Sequence, residues 1–84
     1  MKADQKLIED WQANPQRETS VVIHVDGAAE TYRDAVVEMG MTIRHVFKLT
    51  NTIAAHGRAQ HALELIDKPW VNKIETDQQI TTMV

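Results

Sequence analysis

The chain of 84 residues contains no cysteine, so disulfides, thiolate nucleophiles and cysteine-ligated zinc sites are all excluded, and its composition suits a reducing compartment. It lacks a basic excess. Nine Lys and Arg against twelve Asp and Glu give a formal charge of −3, without the concentrated positive footprint that phosphate backbones demand, and a nucleic-acid partner is not expected. No apolar run approaches the ~20 residues of a membrane span, and Met1–Leu7 lacks the apolar core of a signal peptide. The expectation is a soluble, cytoplasmic chain with no membrane partner. Serine is nearly absent as well. Ser20 is the sole one and opens a strand-like run, so no nucleophile–base–orienter triad is recognisable and the chain does not read as an enzyme.

What is present is one small domain. At this length only about 60–65% of the unfolded surface can be buried, which leaves little room for a large internal cleft. Asp4 is placed to cap a short helix with Leu7, Ile8 and Trp11 on one face, ending before Asn14-Pro15, and it reads as an appendage. Ser20-Val21-Val22-Ile23-His24-Val25, β-branched and closed by Asp26-Gly27, predicts a strand and a turn. From Ala28, Tyr32, Ala35, Val36 and Met39 recur at helical spacing, and Gly40 supplies the stop.

Met41 to Leu49 predicts a second strand with Met41, Ile43 and Phe47 on one face. Thr50-Asn51 offers a turn, and Thr52 to His56 a short third strand of small side chains before Gly57. A second core helix over Arg58–Asp67 would bury Ala62, Leu65 and Ile66, with Ala59 and Leu63 flanking, until Pro69 prevents its continuation. Val71 and Ile74, which do not alternate strictly, mark a less regular final strand.

Strand, helix, strand, strand, helix, strand predicts a ferredoxin-like α+β sandwich: a four-stranded antiparallel sheet with two helices on one face. Three segments follow: an N-terminal helical extension over 1–17, the domain over 18–77, and an extended tail over 78–84. The other sheet face is left free, and because the architecture hosts many activities the site has to be argued separately.

Four histidines raise the question of a metal. His24 and His45 could lie on neighbouring strands, but His56 and His61 stand five apart, a poor helical spacing for two ligands, so no metal or other cofactor is expected. An RNA-recognition surface needs several aromatics on the central strands, and Phe47 is the only candidate there. Glu75 and Asp77, two apart on a strand, share one face. They read either as a solvated strand end or as carboxylates placed to meet the unpaired N–H groups of a partner's helix N-termini. After them, Gln78-Gln79-Ile80-Thr81-Thr82-Met83-Val84 has no helical periodicity, Gly or Pro, as suits a segment read by a partner.

From Val21 to Met83 the chain resembles the subtilisin propeptide-like protease inhibitors, a family that includes propeptides of subtilisin-type serine proteases and free-standing fungal and yeast inhibitors. The carriers are the strand Val21–Val25, Gly40 before Ile43 and Phe47, Leu63-Glu64-Leu65, Pro69 followed by Val71, and Ile74-Glu75-Thr76-Asp77. The resemblance implies a serine protease inhibitor, monomeric when free, whose open sheet face packs on two helices of the protease with Glu75 and Asp77 capping them. It further implies that the C-terminal residues enter the substrate groove as a product-like strand. Met83 would then take the primary specificity pocket and Ile80 the apolar pocket three residues earlier, with Thr81 and Thr82 between; a one-residue shift would make Val84 the terminal anchor.

The stretch Ile80-Thr81-Thr82 is similar to the tail of the free-standing inhibitors, although the same surface could assist a protease's folding as the propeptides do. Residues 1–17 have no counterpart in the minimal family domain. A reading of another class stands beside this one: a ferredoxin-like interaction or homo-oligomerisation module, for which Trp11 and the edge strands would matter more than the tail.

Overall fold

A computed structural model describes residues 2–76. Seven elements follow in order: α1 (Gln5–Ala13), β1 (Glu18–Val25), α2 (Ala29–Glu38), β2 (Thr42–Phe47), β3 (Thr52–Arg58), α3 (Ala59–Ile66) and β4 (Val71–Thr76). The strands form one sheet in the order β2-β3-β1-β4, every pair antiparallel. This is the ferredoxin-like α+β arrangement that the element order predicts.

Strand parity divides the central strands cleanly. Val21, Ile23 and Val25 of β1 and Ile53 and Ala55 of β3 point to one face and are buried. There they meet Val36 of α2, Ala59, Ala62 and Leu65 of α3, and Ile74 and Val71 of β4 in one apolar cluster. Burying each such aliphatic side chain contributes about 1.5–3 kcal/mol, which is how a chain this short holds together.

Two bulges explain where simple alternation fails. In β4, His24 pairs with Lys73 but Val25 pairs with Val71, so Asn72 is an extra residue, and Val71 and Ile74 both face the core despite being three apart. In β2, Ile43 pairs with Ala55 while His45 pairs with Ala54, which makes Arg44 the extra residue. The parity reverses at that point. Ile43 and Val46 therefore face the helices, whereas His45 and Phe47 face the other way, and the expectation of Ile43 and Phe47 on one face is corrected.

The helices end for local reasons. Gly40, at φ 106°, closes α2 with the paired bonds of a left-handed C-terminal turn: its N–H donates to Val37 at 3.0 Å, and that of Met41 to Val36 at 3.3 Å. Asp4 caps α1 by accepting from the Lys6 N–H at 3.3 Å. Lys68 returns its N–H to the Leu65 carbonyl at 3.0 Å just before Pro69, which stops α3. Beyond that turn, Trp70 stacks on Tyr32 with ring centroids 4.5 Å apart, tying α2 to the start of β4.

The N-terminal helix is not an appendage. Trp11 is 1% exposed and belongs to the core cluster, and α1 lies against α3. The segment is fastened at both ends: the Lys2 carbonyl accepts the Ile74 N–H on the outer edge of β4 at 2.7 Å, and the carbonyls of Pro15 and Arg17 accept from Gln60 and Ala59 at the start of α3. No helix among the described residues is long and apolar enough to cross a membrane.

Candidate functional site

All three helices lie away from one face of the sheet, and that face is the candidate site. Thr42, His45 and Phe47 of β2, Thr52, Ala54 and His56 of β3, Ser20, Val22 and His24 of β1, and Lys73 and Glu75 of β4 share it by register. Its centre is low: Thr52 and Ala54 are small and buried among their neighbours. Its rim stands higher. On one side Phe47, 43% exposed, tilts against the His45 ring with centroids 4.4 Å apart.

On the opposite side sits the predicted carboxylate. Glu75 reaches this face from β4, an edge strand, and its Oε2 lies 2.8 Å from His24 Nε2 and 3.6 Å from Lys73 Nζ. An ionised carboxylate only accepts, so Nε2 of the ring carries the hydrogen of this bond. That hydrogen bond first, and the Lys73 charge second, hold the Glu75 carboxyl below the usual carboxylate range. The group is therefore anionic throughout the neutral range, and with about half of its side chain exposed it can meet a partner's N–H donors.

Of the protease-contacting residues expected from sequence, Glu75 alone falls in the described part of the chain. Asp77, Ile80, Thr81, Thr82, Met83 and Val84 lie outside the described residues. His24 was not singled out as a contributor to this site. Only the register between β1 and β4, in which Val22 pairs with Glu75 and His24 with Lys73, brings it beside Glu75, and nothing local in the sequence signals a meeting across fifty residues.

The histidines do not converge. His24 and His45, expected on neighbouring strands, are separated by β3. His56 lies 3.9 Å from Glu18, and His61 sits on α3 with its ring against Gly40. Among the described residues no three His, Asp or Glu side chains gather to hold a metal ion.

A second concavity, a groove of about 540 Å³, runs between α1 and the outer edge of β4. Leu7 and Ile74 supply apolar surface there, flanked by Lys6, Asp10, Lys73 and Glu75. Asp10 is held by Arg17 at 3.2 Å. Glu75 thus borders both the groove and the open face, and the strand that carries it is pinned from outside by Lys2. Comparison with models of known protein families and with curated proteins finds no match for this chain.

Proposed function

We propose that this protein inhibits a subtilisin-type serine protease, docking through the open sheet face and laying its C-terminal residues along the substrate groove. The observation that carries the reading is the position of Glu75: an exposed, anionic carboxylate on the uncovered face of the final strand, immediately before the tail. A carboxylate so placed suits the unpaired N–H groups at a partner's helix N-termini, where the dipole favours negative charge. The low centre around Ala54 suits close approach, and Phe47 offers an apolar anchor on the far rim.

The energetics favour a domain-anchored tail. An extended peptide entering a groove loses chain entropy, and a folded domain that already holds the peptide's first residue on the enzyme raises its effective concentration. Asp77 would add a second carboxylate, and Ile80 to Val84 would pair as a strand with alternate side chains in pockets, Met83 or Val84 in the primary one. The same surface would serve a folding assistant equally well.

A second reading, a module that binds copies of itself or a regulatory partner, is favoured by exposed apolar side chains: Leu49 is fully exposed at the β2–β3 turn, close in sequence to Phe47. Trp11 does not contribute to such a surface, being buried. Titrating subtilisin activity with the full chain and with a version ending at Gln79 separates the readings. Inhibition that vanishes on truncation supports the inhibitor. No inhibition of several subtilisin-type enzymes by a folded chain, with a self-associated mass unchanged by truncation, overturns it in favour of the module.

A further inference from the structure

His24 and Glu75 are fifty-one positions apart in the chain, yet their side chains meet at 2.8 Å on the open face. Carboxylates on exposed strand ends are ordinarily free to rotate, so a ring that fixes one oxygen also fixes where the other points. We propose that His24 is a positioning residue for Glu75 and makes docking of the open face pH-sensitive, so that the complex loosens as pH falls. The inference rests on the docking reading above.

Charge sets the preference. With a neutral ring, Nε2–H donates to Glu75 and the carboxylate's negative charge, offset only by the Lys73 ammonium 3.6 Å away, is left to be met by a partner's N–H groups. With a protonated ring, a second positive charge lies against that oxygen, and His24, Lys73 and Glu75 together present a net positive charge to a positive helix end. Enclosing the imidazolium between the sheet and that helix end would also strip its water without supplying an anion beyond the one already used. The complex therefore holds the neutral ring better than the protonated one, and proton uptake competes with binding.

The surroundings leave His24 as the group that switches. From β4 it faces Glu75 and its register partner Lys73, whose Nζ lies 3.6 Å from Glu75 Oε2. From β3 it faces Thr52, whose hydroxyl is 2.9 Å from that of Thr50. His45 and His56 are the other imidazoles on the face, one on β2 beyond β3 and the other paired across β3 with Ser20 and Thr42. Among the described residues no helix covers the face to contribute a further charge.

The test compares wild type, His24→Gln and His24→Ala, binding a subtilisin whose catalytic serine is replaced by alanine, at half-unit steps between pH 8 and pH 5.5. Taking the ratio of Kd values at each pH cancels titration of the protease and of His45 and His56. Gln keeps an N–H donor for Glu75, so H24Q is expected within about threefold of wild type at pH 8. Wild type should then weaken relative to H24Q as pH falls, with a limiting slope of about tenfold per unit for one linked proton. H24A, lacking the donor, should bind less tightly than H24Q at pH 8.

A ratio of wild type to H24Q that is flat with pH overturns the pH dependence, and H24A equal to H24Q at pH 8 overturns the positioning role. Either result leaves the inhibitor reading in place. Failure of all three folded chains to bind at pH 8 instead removes the docking reading, and this inference with it.

Discussion

The backbone carbonyl of Arg17 accepts the N–H of Ala59 at 2.8 Å, and the Pro15 carbonyl, two residues earlier, accepts from Gln60 at 3.0 Å. Arg58, at the N-cap of α3, offers no side-chain hydrogen bond. The first N–H groups of a helix have no partner within it, and here the chain leaving α1 supplies what a Ser or Asp cap would. Pro15 can do this because proline, though it has no N–H to donate, keeps the carbonyl acceptor that every residue has. The N-terminal segment and the second half of the domain are thus one folding unit, with Trp11 as the apolar link between them.

Truncating that link should be severe. Trp11→Ala removes the largest buried side chain in the molecule and should cost about 3–5 kcal/mol, against a total of roughly 4–13 kcal/mol expected for a chain of this size. Urea unfolding should show a collapse of the midpoint, whereas Trp11→Phe, which retains most of the apolar volume, should keep a cooperative transition. A loss below about 1 kcal/mol for Trp11→Ala would mean that α1 is dispensable to the core.

These two findings show where the sequence was legible. Val21, Ile23 and Val25 alternate plainly, and Gly40 and Pro69 punctuate plainly, so the element order and the ferredoxin-like layout could be read directly. What could not be read were the single-residue bulges at Arg44 and Asn72, which reverse strand parity and leave no local signature. Phe47 therefore lies on the face opposite Ile43, and the strand register that brings His24 diagonally beside Glu75 is not visible in the sequence. The burial of Trp11 was hidden for a related reason: a short amphipathic helix reads the same whether its apolar face meets its own domain or nothing.

Gly40 offers a sharper test of local design. Its φ of 106° is a conformation that side chains rarely adopt, and a Cβ there would lie 2.8 Å from His61 Nε2. Gly40→Ala should therefore destabilise by about 1–3 kcal/mol, from backbone strain and displacement of the ring together. Combining it with His61→Ala, which removes the ring, should recover the steric part only. A thermal-denaturation double-mutant cycle measures that coupling, and strictly additive losses would show that the ring yields freely.

Glu75 should leave a mark on acid stability. Its carboxyl is held below its ordinary range in the folded chain, by the His24 hydrogen bond and then by Lys73, so its contribution to stability is present above the unfolded value and fades as pH falls through the folded one. The difference in Tm between wild type and Glu75→Gln should accordingly be positive near pH 6 and vanish at the acid end of the carboxylate range. Because the site is exposed the difference will be small. A difference that grew on acidification would contradict the assigned pairing.

Phe47 separates docking from folding. Its ring is nearly half exposed, rests on His45 and faces away from the core, so Phe47→Ala should cost no more than about 1–2 kcal/mol of stability, well short of the 3–5 expected for a buried phenylalanine. If the open face is the docking surface, the same change removes an aromatic anchor from its rim and should weaken binding to a subtilisin-type protease at least about tenfold, or 1.4 kcal/mol. The contribution should be separable from that of the tail, since the two touch different parts of the enzyme: Phe47→Ala combined with truncation after Gln79 should lose more than either change alone. Binding measured by calorimetry on folded variants decides the matter. An unchanged affinity for Phe47→Ala would remove the far rim of the sheet from the interface and confine docking to Glu75 and the residues that follow it.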